Sequence, residues 1–96
     1  MYILVTYDVA TSTKSGERRL RKVAKICQDY GQRVQNSVFE CLVTPAQKVQ
    51  LEAQLLDVID QEHDSLRFYH LGSNYASKIK TLGKQKSFDI EEELII

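Results

Sequence analysis

The chain has little cysteine, no excess charge and no long apolar run, and each shortage excludes something. No stretch approaches the roughly 20 apolar residues that span a bilayer. No basic start followed by an apolar stretch and a small-residue cleavage site marks a secretory leader. A cytoplasmic protein with no membrane partner is therefore expected. The two cysteines, Cys27 and Cys41, stand in apolar contexts without a second pair or a CxxC, which predicts free, buried thiols. Thirteen Lys and Arg balance thirteen Asp and Glu, so indiscriminate polyanion binding is disfavoured. The balance is uneven along the chain: residues 1–48 carry eight bases and four acids, residues 49–96 five and nine. The bases concentrate between Lys14 and Arg33, which permits a local phosphate-contacting face. GxGxxG, P-loop, HExxH and GxSxG signatures are missing. His63, in an acidic turn, and His70, in a strand, read as surface or core histidines without a catalytic role.

What is present begins with Tyr2–Val9, a run of β-branched, aromatic and leucine side chains that suits a buried central strand. Asp8 stands at its exit. A Thr/Ser/Gly loop follows over 10–16, with helix starts possible at Ser12, Thr13 or Ser15. A helix then runs to about Tyr30, its apolar stripe being Leu20, Val23, Ala24, Cys27 and Tyr30, and Gly31 offers a left-handed residue to end it. Arg33–Val43 reads as the second strand, with a bulge or change of exposed face at Gln35–Ser37. Thr44-Pro45-Ala46-Gln47 spells a helix start. That helix is expected to reach about Asp60, with Val49, Ala53, Leu56 and Ile59 inward and Leu51, Leu55 and Val58 widening the stripe. Ser65–Leu71 reads as the third strand, Lys78–Leu82 as a short fourth, and the tail ends Leu94-Ile95-Ile96.

These elements predict one α+β domain over residues 1–96, with a core over 1–82 and a linker and tail strand over 83–96. The arrangement expected is ferredoxin-like βαββαβ, a four-stranded antiparallel sheet with the first and third strands central and both helices on one face. The uncovered face predicts a homodimer, and the tail is a candidate extra strand for the partner's sheet.

Asp8 admits two readings. The carboxylate of an Asp before a Ser/Thr-rich loop can simply accept backbone N–H bonds in an Asx-turn or cap the next element. Alternatively it holds a divalent ion such as Mg2+, for which one carboxylate is poor unless a two-fold axis supplies a second copy. The helix arginines are either a solvated face or phosphate contacts, and Arg33 is suited to bidentate phosphate binding.

The strand end Tyr7-Asp8-Val9, the run Arg18-Arg19-Leu20-Arg21-Lys22-Val23-Ala24-Lys25 and the stretch from Tyr30 through Glu40, with its Gln-x-Ser-Val-Phe, resemble the CRISPR-associated adaptation proteins of the Cas-two family. The likeness extends through Ser65-Leu66-Arg67-Phe68-Tyr69 to the tail, and is greatest to the branch found with type I-C systems. The resemblance implies a ferredoxin-like homodimer in which Asp8 of both protomers is the catalytic and metal-binding position for Mg2+ or Mn2+. It implies a metal-dependent endonuclease of spacer acquisition, acting on duplex DNA or on single-stranded RNA. It also implies partnership with the Cas-one integrase, in whose complex this subunit bridges the DNA. The nucleic-acid-binding positions carried over are Arg18, Arg19, Arg33, Ser37 and Phe39; for Phe39 a purely structural role stands beside that of shaping the cleft.

Overall fold

The computed structural model describes residues 1–83. Strand β1 (Tyr2–Asp8), helix α1 (Lys14–Gln28), strands β2 (Gly31–Gln35) and β3 (Val38–Leu42), helix α2 (Pro45–Leu56) and strand β4 (Ser65–His70) follow in order. They form one antiparallel sheet, β2-β3-β1-β4. This is the ferredoxin-like βαββαβ arrangement. The expected tail strand lies outside the described residues.

Alternation along the strands decides the two faces. Ile3, Val5 and Tyr7 of β1 join Phe39 and Cys41 of β3 beneath Leu20, Val23, Ala24 and Cys27 of α1 and Leu51 and Leu55 of α2. Both helices therefore cover one face. The core is one continuous cluster, and each fully buried side chain of this size contributes about 1.5–3 kcal/mol. Cys27 and Cys41 are buried and free; the Cys41 thiol donates to the Cys27 carbonyl at 3.7 Å. No described helix is long and apolar enough to cross a membrane.

Four local expectations are corrected. The segment 33–43 is not one strand but the two arms of a hairpin, β2 and β3, turning at Asn36-Ser37, with a register shift between Arg33 and Gln35. The polar interruption is a reversal, stapled by the Arg33 guanidinium, which donates to the Asn36 carbonyl at 2.7 Å and to its side-chain oxygen at 3.1 Å. Consequently the third, central strand is Val38–Leu42, and Ser65–His70 becomes the fourth, flanked only by β1 among the described residues.

The expected strand over 78–82 is absent. A 3-10 turn, Tyr75–Lys78, forms instead and lays the Tyr75 ring on Tyr2, with centroids 3.8 Å apart and planes 2° from parallel. Lys78 Nζ ties this turn to the Leu71 carbonyl at 2.7 Å.

Helix α2 stops at Leu56, and its buried residues are Leu51 and Leu55, expected only to widen the stripe, whereas Val49 and Leu56, expected inward, are 67% and 51% exposed. Apolar residues occupy more than half of its circumference, so periodicity alone does not choose the stripe that meets the sheet. Its N-terminus is as read, with Thr44 and Gln47 forming a reciprocal capping box before Pro45.

Gly31 does not end α1 through a left-handed conformation, because its φ is not positive. It opens β2, and a Cβ there would lie 1.9 Å from the Glu40 carbonyl oxygen. Glycine is needed for the close approach of the hairpin arms.

Candidate active site

Asp8 is the last residue of β1 and points to the helix-free face, two residues beyond Thr6. Its cross-strand partner is Ser65. The side chain is exposed, and no described residue hydrogen-bonds or ion-pairs with it. The turn-capping role is taken by Thr13, whose hydroxyl accepts from Gly16 N–H at 3.0 Å to start α1. The Asp8 carboxylate is therefore left available to solvent.

The chain leaves β1 through a tightly fitted turn. A Cβ on Gly16 would stand 1.6 Å from the Ala10 carbonyl oxygen, so helix and loop are in direct backbone contact just beyond Asp8. Tyr7, one residue before it, is locked on both sides. Its N–H donates to the Ser37 carbonyl at 2.9 Å, bringing the hairpin turn to the end of β1. Its hydroxyl donates to Asp64.

Around Asp8 lies an open depression of about 370 Å³ lined by Thr6, Tyr7, Asp8, Ser37, Ser65, Arg67 and Tyr69. Its available donors are oxygens: one carboxylate and the hydroxyls of serine, threonine and tyrosine. That donor chemistry suits a hard divalent cation rather than a thiophilic one. Among the described residues no three His, Cys, Asp or Glu side chains converge, and those lining the depression supply a single carboxylate. Asp8 fits a metal held by a second carboxylate from elsewhere and by waters, and does not by itself make a closed site.

The structure brings together only two of the positions selected from the sequence, Asp8 and Ser37. Arg18 is exposed on α1. Arg19 is turned toward the sheet, where its Nε and Nη2 donate to the two oxygens of Asp64 at 2.8 and 3.2 Å. Arg33 belongs to the hairpin staple and lies 5.8 Å from the centre of the Phe39 ring. Phe39 is wholly buried in the core, and its contribution is packing beneath the site.

Sequence reasoning missed two groups. One is the Tyr7–Asp64–Arg19 network. The Asp64 side chain is fully buried and accepts from Tyr7, from Arg19 and from the Asp60 N–H at 3.0 Å. Burial alone raises a carboxyl, but the hydrogen bonds from Arg19, Tyr7 and the Asp60 backbone prevail and hold Asp64 below its usual range. Burial, then the bond to Asp64, pushes Tyr7 up to about 12. Asp60 is held low chiefly by its bond to His63 Nδ1, 2.9 Å away, which closes the acidic turn.

The other missed group is Ser65, Arg67 and Tyr69, which line the Asp8 depression. Its signal was present as the period-2 alternation of β4, in which Leu66 and Phe68 pack against the core and the intervening side chains face the other way.

Fold and site together define a small ferredoxin-like α+β protein that presents a solvent-facing carboxylate on the uncovered face of its sheet. Residues 1–79 match the family described as CRISPR associated protein Cas2. A CRISPR-associated endonuclease Cas2 of Halalkalibacterium halodurans is 56% identical over 95 residues, 99% of each chain. A CRISPR-associated endoribonuclease Cas2 of Chlorobaculum tepidum is 55% identical over the full length of both. The crystal structure of Streptococcus pyogenes Cas2 at pH 6.5 superposes with a TM-score of 0.83 at 59% identity, covering 86% of this chain and 100% of that one. The chain belongs to the Cas2 family.

Proposed function

We propose that this chain is a metal-dependent endonuclease of CRISPR spacer acquisition, hydrolysing phosphodiester bonds in duplex DNA in preference to single-stranded RNA. The observation that carries this reading is the unengaged Asp8 carboxylate, held at a rigid strand end in an oxygen-lined depression. Family membership adds to it, since relatives at 56% and 55% identity are named as an endonuclease and an endoribonuclease. The working unit is a homodimer formed through the helix-free face, in the cytoplasm, with Asp8 of each protomer contributing to a shared Mg2+ or Mn2+ site. When bound, such an ion supplies charge stabilisation for the phosphoryl group and lowers the pKa of a coordinated water.

The chain's own contribution is positional. The Tyr7 backbone bond to Ser37 and the close-packed Gly16 turn hold the chain on both sides of Asp8, so the backbone that carries the carboxylate is fixed before any ligand arrives. Arg18, exposed on α1, is available to flanking phosphates. Purified Asp8→Asn is expected to retain its mass in light scattering and its melting temperature while losing Mg2+-dependent cleavage of duplex DNA. Cleavage equal to the parent would refute the catalytic reading.

A second reading is favoured by the single carboxylate that the described residues place in the depression: a non-catalytic subunit that bridges DNA in the spacer-integration complex with the Cas-one integrase. There, Asp8→Asn leaves integration intact, while charge reversal at Arg18 abolishes it.

A further inference from the structure

Among the described residues the depression around Asp8 holds one cation, Arg67, and its placement has a chemical consequence. In the antiparallel ladder Arg67 pairs with Thr6, and Ser65 with Asp8. Arg67 is therefore Asp8's diagonal neighbour on the same sheet face, a relationship that places Cβ atoms about 7–8 Å apart or somewhat less. The two charges do not close on each other: among the described residues Asp8 has no ion pair, and the contact made by Arg67 is a 3.4 Å bond from Nη1 to the Tyr69 hydroxyl. A guanidinium carries five N–H donors, so most of its fork stays available. Opposite charges that share a hollow without pairing leave a gap for a ligand that is itself part cation-bound and part anionic. A phosphodiester approached by a divalent ion on its Asp8 side is such a ligand.

The basic residues selected from the sequence do not take this position. Arg19 is consumed by buried Asp64, Arg33 by the hairpin turn, and Arg18 lies on α1. We propose that Arg67 anchors the nucleic-acid phosphate at the Asp8 site by fork-like hydrogen bonding, with Tyr69 as the positioning residue that aims its guanidinium. This rests on the reading of the Asp8 depression as the nucleic-acid site, but not on that site being catalytic.

The test is fluorescence anisotropy of a fluorescein-labelled DNA duplex with the full chain in EDTA, over a series of salt concentrations. A charge-assisted hydrogen bond to phosphate is worth about 1.5–3 kcal/mol, so Arg67→Ala is expected to weaken binding about 10- to 100-fold. Loss of one phosphate contact also lowers the slope of log affinity against log salt by about 1. Arg67→Lys should restore the slope, because the charge is kept, but only part of the affinity, because the fork is lost. Tyr69→Phe should reduce affinity without changing the slope.

Asp8→Asn, in the same assay, should bind at least as tightly as the parent, since it removes a like charge from the phosphate. The catalytic reading is then judged by cleavage and this proposal by binding, so either can fail alone. A single-stranded RNA of the same sequence distinguishes the two backbones; a deficit of Arg67→Ala on either supports phosphate anchoring there. Unchanged affinity and slope on both would overturn it. So would a loss of dimer that tracks the loss of affinity across Arg67→Ala, Arg67→Gln and Arg67→Lys, which would place Arg67 in subunit packing.

Discussion

The Arg19 guanidinium grips the Asp64 carboxylate with two N–H···O bonds, 2.8 and 3.2 Å long, joining α1 to the residue that precedes β4. The carboxylate is fully buried and the arginine 19% exposed. The same oxygen that receives Arg19 Nε also receives the Tyr7 hydroxyl, so three elements meet at one acid beneath the candidate site.

Removing one partner should therefore cost more than removing both. Breaking a buried pair leaves an uncompensated charge, at a cost of about 3–5 kcal/mol, toward the lower end here because Arg19 retains some water. Asp64→Asn is expected to lower the melting temperature by more than about 10 °C, given about 4–8 °C per kcal/mol in a domain of this size. The double variant Arg19→Met/Asp64→Leu should recover part of that loss. Thermal melts of the parent, Arg19→Met, Asp64→Leu and the double variant, taken as a double-mutant cycle, check this; additive losses would show that the two residues act independently.

The same network sets the pH range of stability. Asp64 is held below its ordinary value of 3.8, so its contribution is complete above that value and is lost as pH falls toward the lowered one, where the unfolded chain takes up the proton first. Tyr7 is raised from 10.0 to about 12, so the folded form keeps a proton that the unfolded chain releases. Stability should fall as pH climbs through that interval. Denaturant melts across pH, with Tyr7→Phe as control, should show the alkaline decline flatten in the variant; an identical decline would assign it to other groups.

Gly16 offers a purely steric test. A Cβ there would overlap the Ala10 carbonyl oxygen at 1.6 Å, and that atom is backbone and cannot swing away. Gly16→Ala gains helix propensity of about 1 kcal/mol in an unconstrained helix. Here it should instead destabilise and, under the proposed catalytic reading, reduce cleavage more than the fall in stability explains, because the strand exit carrying Asp8 is pushed. A melting temperature equal to or above the parent would show that the turn yields.

Much of the architecture was legible beforehand because it depends on short-range periodicity. The apolar run of β1, the stripe of α1 through Leu20, Val23, Ala24 and Cys27, and the capping box at Thr44 all lie where local chemistry puts them. Reading failed where two patterns fit equally well. The polar break at Gln35–Ser37 fits a bulge in one long strand as well as a turn, and only pairing of Arg33 with Phe39 and Gln35 with Val38 distinguishes a hairpin. Helix α2 has apolar residues on two overlapping faces, and its fit against the sheet selected Leu51 and Leu55.

The sequence by itself determined that an acid stands at the end of a buried strand, because β-branched and aromatic residues build that strand and small polar ones stop it. It also determined the family likeness, through runs of residues that need no folding to be read. Only the tertiary structure decided what surrounds that acid. Sheet register placed Ser65 opposite Asp8 and Arg67 diagonal to it, while long-range pairing drew Arg19 to Asp64 and buried Phe39. Those choices join residues far apart in the chain, and Tyr7 and Asp64 in the same network are 57 positions apart. Such distances lie beyond any local pattern, because the packing of the whole core selects the partners.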